Sequence, residues 1–436
     1  MTLIRRPRST RDDRELRLWR VGRALTVTFA VAVLVAGGVF YGLVALLDFR
    51  EIDSTAKLDA KTLFDLVKLS FGVVAGAGAL VALVVAYRRQ RVDKAGAHRE
   101  ATRLHTERFT AAVEQLGSDS PAVRLGGVHA LAGLADDAPD DSLRQTCVDV
   151  LCAYLQLPFT PDPGDVPGHR EEHHRYLAFR KVRHTILRLI GDHYRRPRGT
   201  HRSWQGCDLD LTGVTIDGNM DFSGANFSGG TVSFGGAVFS DSTVDFEGTT
   251  FSGGTVHFGG AEFSGGLVHF GGAEFSGSAV GFGGAEFSGS TVYFEGATFS
   301  GGTVHFESAV FSGGTVYFND ATFSGSRMRF SHATFSGSTV HFNDAAFSGS
   351  PMGFSGVAFS GGRVHFNDAA FSGGLVYFGH ATFSDGTVHF DDATFSGGRV
   401  RFDDATGPAP DGLLASVGPS ASVMVTLPSA WLPSPA

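Results

Sequence analysis

Phenylalanine recurs along the second half of this chain at spacings that alternate five and seven. The series starts Phe222, Phe227, Phe234, Phe239, Phe246, Phe251, Phe258, Phe263, Phe270, Phe275 and runs without a break to Phe395 and Phe402. It amounts to 31 Phe on a 12-residue period. A period of this kind commits the chain to stacked repeats, because one short unit cannot bury its apolar face alone. Two residues before each Phe stands a small or aliphatic residue, as in Ala225, Ala237, Ala261 and Ala273, or Val232, Val244, Val256 and Val268. Residues i and i+2 of a strand share a face, so Ala-x-Phe and Val-x-Phe each turn both apolar groups inward. The ten Phe named above are therefore expected to be structural core.

Two coil sizes fit the period. A 12-residue coil would have to reverse direction across two residues, Gly259 and Gly260, although sheets pack about 10 Å apart and three residue steps span at most roughly 10–11 Å. A 24-residue coil needs only four right-angle corners. Asn-Asp stands at the short corner at 319–320, 343–344 and 367–368, and Asp391-Asp392 follows, always 24 apart, whereas the intervening corners differ. The sequence thus predicts a four-sided right-handed parallel β-helix over 205–405, with about 8 coils of about 24 residues each. Glycine at the corners permits positive φ where the chain bends. Open coil ends would template further strand pairing, so they need covers. A helix at about 171–194 is placed to cover one end, and the tail 406–436 is a candidate for the other.

The remainder reads as helical and membrane-bound. Ala24 to Leu47 holds no charged residue, and Leu69 to Tyr87 is a second uncharged run of 19. Roughly 20 apolar residues cross a bilayer, so 24–47 and 69–87 are expected to be transmembrane helices joined by an external loop at 48–68. Seven arginines precede Val21, and Arg88, Arg89 and Arg91 close the second run. By the positive-inside rule both termini, including the basic segment 1–23, are expected in the cytoplasm, with the chain in the cell membrane. Gly38–Gly42 and Gly72–Gly76 have the GxxxG spacing that lets helices approach, which would pack the hairpin or form a homo-oligomer. Residues 88–204 form a helical region interrupted by a Pro-rich linker at 157–168, so the whole is an α+β multi-domain chain.

The string ERFTAAVEQLGSDSPAVRLGGVHALAGLA, an AYLQ-type helix, FRKVRHTILRLI and then Phe-rich repeats resemble actinobacterial pentapeptide-repeat membrane proteins over roughly 100–405. The Ala-x-Phe unit is similar to the pentapeptide pattern, with two residues inserted at every second corner. The resemblance implies a fold and a location, and no agreed reaction.

No constellation of residues argues for catalysis, a cofactor or a metal, so an enzyme is not expected. His169-Arg170-Glu171-Glu172-His173 fits H-x-x-E-H, which a zinc hydrolase would complete with a third ligand and a cleft; a solvated helix start explains it better. Outward His257, His269, His305, His341, His365 and His389 suggest a metal or proton ladder, but a single column cannot enclose an ion, and packing against Tyr293 and Tyr317 is the simpler reading. Glu262 and Glu286 stack on one face and Glu274 lies on the opposite one, with no electrophile beside them. Cys147, Cys152 and Cys207 form no disulfide framework and read as reduced, buried residues.

The net charge of −8 hides an asymmetry. Residues 1–205 carry 31 Lys/Arg against 23 Asp/Glu, and residues 206–405 carry 5 Arg and no Lys against 20 Asp/Glu. The basic half suits anionic lipid, and the acidic half suits solubility or a basic partner. The function expected is a membrane-anchored structural or interaction protein presenting a rigid acidic rod to a cytoplasmic protein. The alternative is a DNA mimic that inhibits a nucleic-acid enzyme such as a topoisomerase, which an acidic rod favours and a membrane anchor disfavours; nucleic acid itself is not expected as a partner.

Overall fold

A computed structural model of the chain describes scattered positions between 27 and 42, then residues 60–436 apart from 159, 350, 385, 418–424 and 433–436. Two compact units divide it, residues 1–101 and 102–436. The expected basic segment 1–23 and most of the expected span 24–47 lie outside the described residues. Helix α1 (Ala60–Leu116) is 57 residues long and runs through the uncharged stretch 69–87. Among the described residues no helix is long and apolar enough to cross a membrane, which corrects the expected transmembrane helix at 69–87. The helix also begins at Ala60, inside the segment expected to be a loop. A Cβ added at Gly72 or Gly76 would meet no atom within 4 Å.

The second unit opens with the last turns of α1 and three further helices. Helix α2 (Pro121–Asp136) starts on a first-turn proline, which fits where no backbone donor is needed. Helix α3 (Asp141–Gln156) is capped by Asp140, whose carboxylate accepts from the Leu143 amide at 2.9 Å. Helix α4 (Arg170–Tyr194) buries Val182, Ile186, Leu187 and Ile190. The core of this region joins Val128, Leu131, Val148, Leu151 and Ile186 to Trp204 and the first coil.

From Leu209 onward the chain winds into a right-handed-type parallel β-solenoid of about nine coils of some 24 residues, one more than expected. Four parallel sheets form its sides, taken in order along each coil. The first face stacks Leu209–Asp210, Thr231–Ser233, Thr255–His257 and their successors to Arg399–Arg401; the second runs from Thr215–Asp217 to Thr382–Ser384. The third runs from Met220–Asp221 to Thr387–His389, and the fourth from Asn226–Phe227 to Thr394–Phe395. Each strand pairs in register with the one a coil further on, as in Val256 with Val280 and Phe263 with Phe287. At about 4.8 Å per strand, the nine coil strands of the first face span roughly 38 Å.

Inside, Phe rings form four columns. Within a column rings stack face to face, Phe258 on Phe282 at 4.8 Å and Phe275 on Phe299 at 4.7 Å. Between the columns that end the first and third faces, rings meet edge to face, as Phe258 does Phe270 at 6.0 Å and 88°. Both are favoured arrangements, and each buried Phe contributes roughly 1.5–3 kcal/mol. Phe222 through Phe275 of the series are all buried.

The short corners explain the sequence between columns. The Ala amide donates to the carbonyl of the Phe three residues back, as Ala261 does to Phe258 at 3.0 Å. The residue before the Ala takes positive φ, the conformation a type II turn requires. Gly260 fills this place at φ +64, but Asp320, Asp344, Asp368 and Asp392 adopt it at φ +56 to +58. Asp tolerates this region better than most residues because its short side chain bonds locally.

Both ends are covered. At the start, α4 lies across the first coil, with Tyr194 against Phe227 at 4.9 Å and Arg195 donating to the Ser223 and Asp221 carbonyls. At the finish, the tail adds Val425–Thr426 to the first face beside Arg399–Arg401. Trp431 lies edge-on to Phe383 and Phe402 and donates its indole N–H to the Gly407 carbonyl at 2.8 Å.

Candidate interaction surface

Because each residue sits directly above its counterpart one coil earlier, every outward position becomes a column. On the third face Asp221 and Asp245 are followed by His269, Tyr293, Tyr317, His341, His365 and His389. These six rings form one continuous stack with centroid separations of 4.8, 5.1, 5.0, 4.9 and 4.8 Å. Desolvation in the stack, reinforced by His341 and His389 on either side, lowers the His365 pKa to about 4, and burial lowers that of His341. The six histidines singled out in the sequence do not form one ladder. His257 and His305 stand on the first face, across the coil from this column.

Charge is segregated around the rod. The corner between the third and fourth faces carries Glu247, Glu295, Asp320, Asp344, Asp368, Asp391 and Asp392, seven of the 20 acids of residues 206–405. The first face carries four of the five arginines, Arg327, Arg329, Arg399 and Arg401, and its strands hold no acid after Asp210. The second and fourth faces are hydroxyl surfaces with an outward serine on nearly every coil. Glu262 and Glu286 are adjacent in register on the second, and Glu274 lies on the fourth between Thr250 and Thr298.

The helical region uses its polar groups internally. His169 contacts Glu172 at 2.8 Å, and His173 contacts Asp162 at 2.6 Å, so the two histidines of the H-x-x-E-H string serve different carboxylates. Among the described residues no group of three or more His, Cys, Asp or Glu is arranged to hold a metal ion. All three cysteines are free and buried. Burial pushes the thiols of Cys147 and Cys152 up to about 12 and that of Cys207 to about 11, which keeps them from acting as nucleophiles near neutrality. Asp136, at the end of α2, accepts from the Trp204 indole at 3.1 Å, contacts His193 at 3.0 Å and faces Arg196 and Arg202 at 3.8 Å. His193 stacks on Trp204 at 4.0 Å, so this hub ties the helices to the first coil.

Counting charge over the whole rod concealed its two-sidedness. The signal was in the numbering, since 327 and 399 differ by a whole number of coils and so share one column. Asp136 and Trp204 are distant in the chain and carry no shared motif, so their pairing left no local trace.

A family model of pentapeptide repeats (9 copies) matches residues 211–262. The match supports the repeat part of the resemblance and neither its actinobacterial nor its membrane part. No curated protein and no solved structure matches the chain.

Proposed function

We propose that the chain is a scaffold whose repeat solenoid presents fixed lateral faces to a protein partner. A pentapeptide-type β-solenoid fits a structural or interaction protein, and such repeats are in general non-catalytic. The observation that carries the reading is the six-ring stack from His269 to His389, because it makes an outward column as ordered as the core beneath it. A surface already ordered binds without the cost of immobilising its side chains.

DNA mimicry is the weaker reading. It calls for negative charge around the rod, and the first face offers four arginines instead. The test is in-cell cross-linking with the full chain and with a chain lacking 255–350, which removes four whole coils and keeps both covers and the inward phase. The reading expects a saturable protein partner that the shortened chain loses. Identical partner sets for both chains would contradict it.

A further inference from the structure

We infer that the C-terminal half of the first face is a docking site for an acidic peptide segment of a partner protein, one whose carboxylates flank a short apolar stretch. The inference rests on the scaffold reading and names the face and the chemistry.

Two outward columns build the site. One runs Arg327, Pro351, Leu375, Arg399, and the other runs Arg329, Gly353, Tyr377, Arg401. An arginine pair therefore stands at each end, three strand spacings or about 14 Å apart, with a two-coil apolar floor between. Leu375 is 37% exposed although most large apolar residues of the rod are buried, and Pro351 beside it is exposed. Tyr377 turns its ring over Gly379, where any side chain would collide with it, and the Arg401 guanidinium lies 5.8 Å from the ring centre.

The four arginines divide into two kinds. Arg329 is held by Glu307 at 3.3 Å and Arg401 by Asp403 at 2.5 Å. Arg327 and Arg399, both exposed, form no ion pair with any described residue. These two cations bracket Pro351 and Leu375 on a rod whose net charge is otherwise strongly negative. Placing unpaired positive charge at both ends of an exposed apolar strip selects an acidic ligand and rejects a basic one. The acidic corner between the third and fourth faces does the reverse, so the two surfaces discriminate by sign.

The test selects displayed random 16-residue peptides on the full chain and measures the enriched peptides by fluorescence anisotropy. Binding is compared for the native chain, the double variant Arg327→Glu/Arg399→Glu, and Asp344→Lys/Asp368→Lys on the opposite corner. All four positions are exposed, and unchanged far-UV circular dichroism verifies the fold. The inference expects peptides with acidic residues flanking an apolar stretch, weakened about tenfold or more by the Arg reversal and not by the Asp reversal. Enrichment of basic peptides, or acidic ones indifferent to the Arg reversal, overturns it while leaving the scaffold reading intact. Arg-dependent binding of a 20-nucleotide poly-uridine RNA without acidic peptides overturns the assignment to a protein partner, and no binding of any kind overturns the site.

Discussion

Gly191 of α4 lies so close to Asp221 of the first coil that a Cβ on it would stand 2.6 Å from the Asp221 carbonyl oxygen. The covering helix reaches the open end of the solenoid because this position has no side chain. Gly191→Ala must push the helix off the coil and is expected to cost about 1–3 kcal/mol in urea unfolding. Gly133→Ala, in α2, meets nothing within 4 Å and is expected to gain about 0.5–1 kcal/mol from helix propensity. Equal effects from the two substitutions would separate the cover from the packing described.

The aspartates at the short corners carry backbone strain. Asp320, Asp344 and Asp368 hold positive φ that glycine holds at Gly260 and Gly284. Replacing all three with Gly relieves a left-handed conformation that costs an L-residue up to about 1–2 kcal/mol, offset by the entropy glycine loses on folding. The net expectation is a gain of about 0.5 kcal/mol per site, read as a rise in the thermal midpoint. A fall would mean that the carboxylates hold the corners together.

Trp431 closes the last coil against Phe383 and Phe402. Trp431→Ala should cost about 3 kcal/mol and expose the final Phe pair. Hydrogen exchange should then quicken in strands near 383–402 and remain unchanged near 222–251. Uniform acceleration along the rod would argue against a local cover.

The imidazole stack makes stability depend on pH in a defined direction. His365 is depressed to about 4 in the folded chain against 6.5 when free. Above pH 6.5 both states are neutral and the contribution is complete. Between 6.5 and 4 the unfolded chain takes up a proton that the folded chain refuses, so stability falls as the pH falls through this window, and the loss ends near 4. His365→Gln should flatten that part of the profile. An NMR titration of His365 with its midpoint near 6.5 would contradict the stacked geometry.

What could be read in advance follows a physical division. Phe spacing and the coil-by-coil recurrence of Asn319-Asp320 record local periodicity, so inward and outward positions, four sides and the corners were legible. The uncharged run 69–87 was legible as helix, but its apolar length alone suggested a membrane span that the helix of 57 residues does not supply. The cover formed by Trp431 and the hub at Asp136 join residues without periodic relation, and only the folded chain brings them together. The basic first face lay in between, written in phase yet lost in a net charge.

The chain needs four sides to complete one turn, and every outward column depends on that. Thr231 and Leu375 both lie on the first face, on its second and eighth strands, and so are six strand spacings apart. Spin labels on cysteines introduced at these two positions, measured by pulsed dipolar spectroscopy, should lie about 29 Å apart. A separation of about 58 Å, as turns half as long would give at the same strand spacing, would contradict the four-sided coil and the faces built on it.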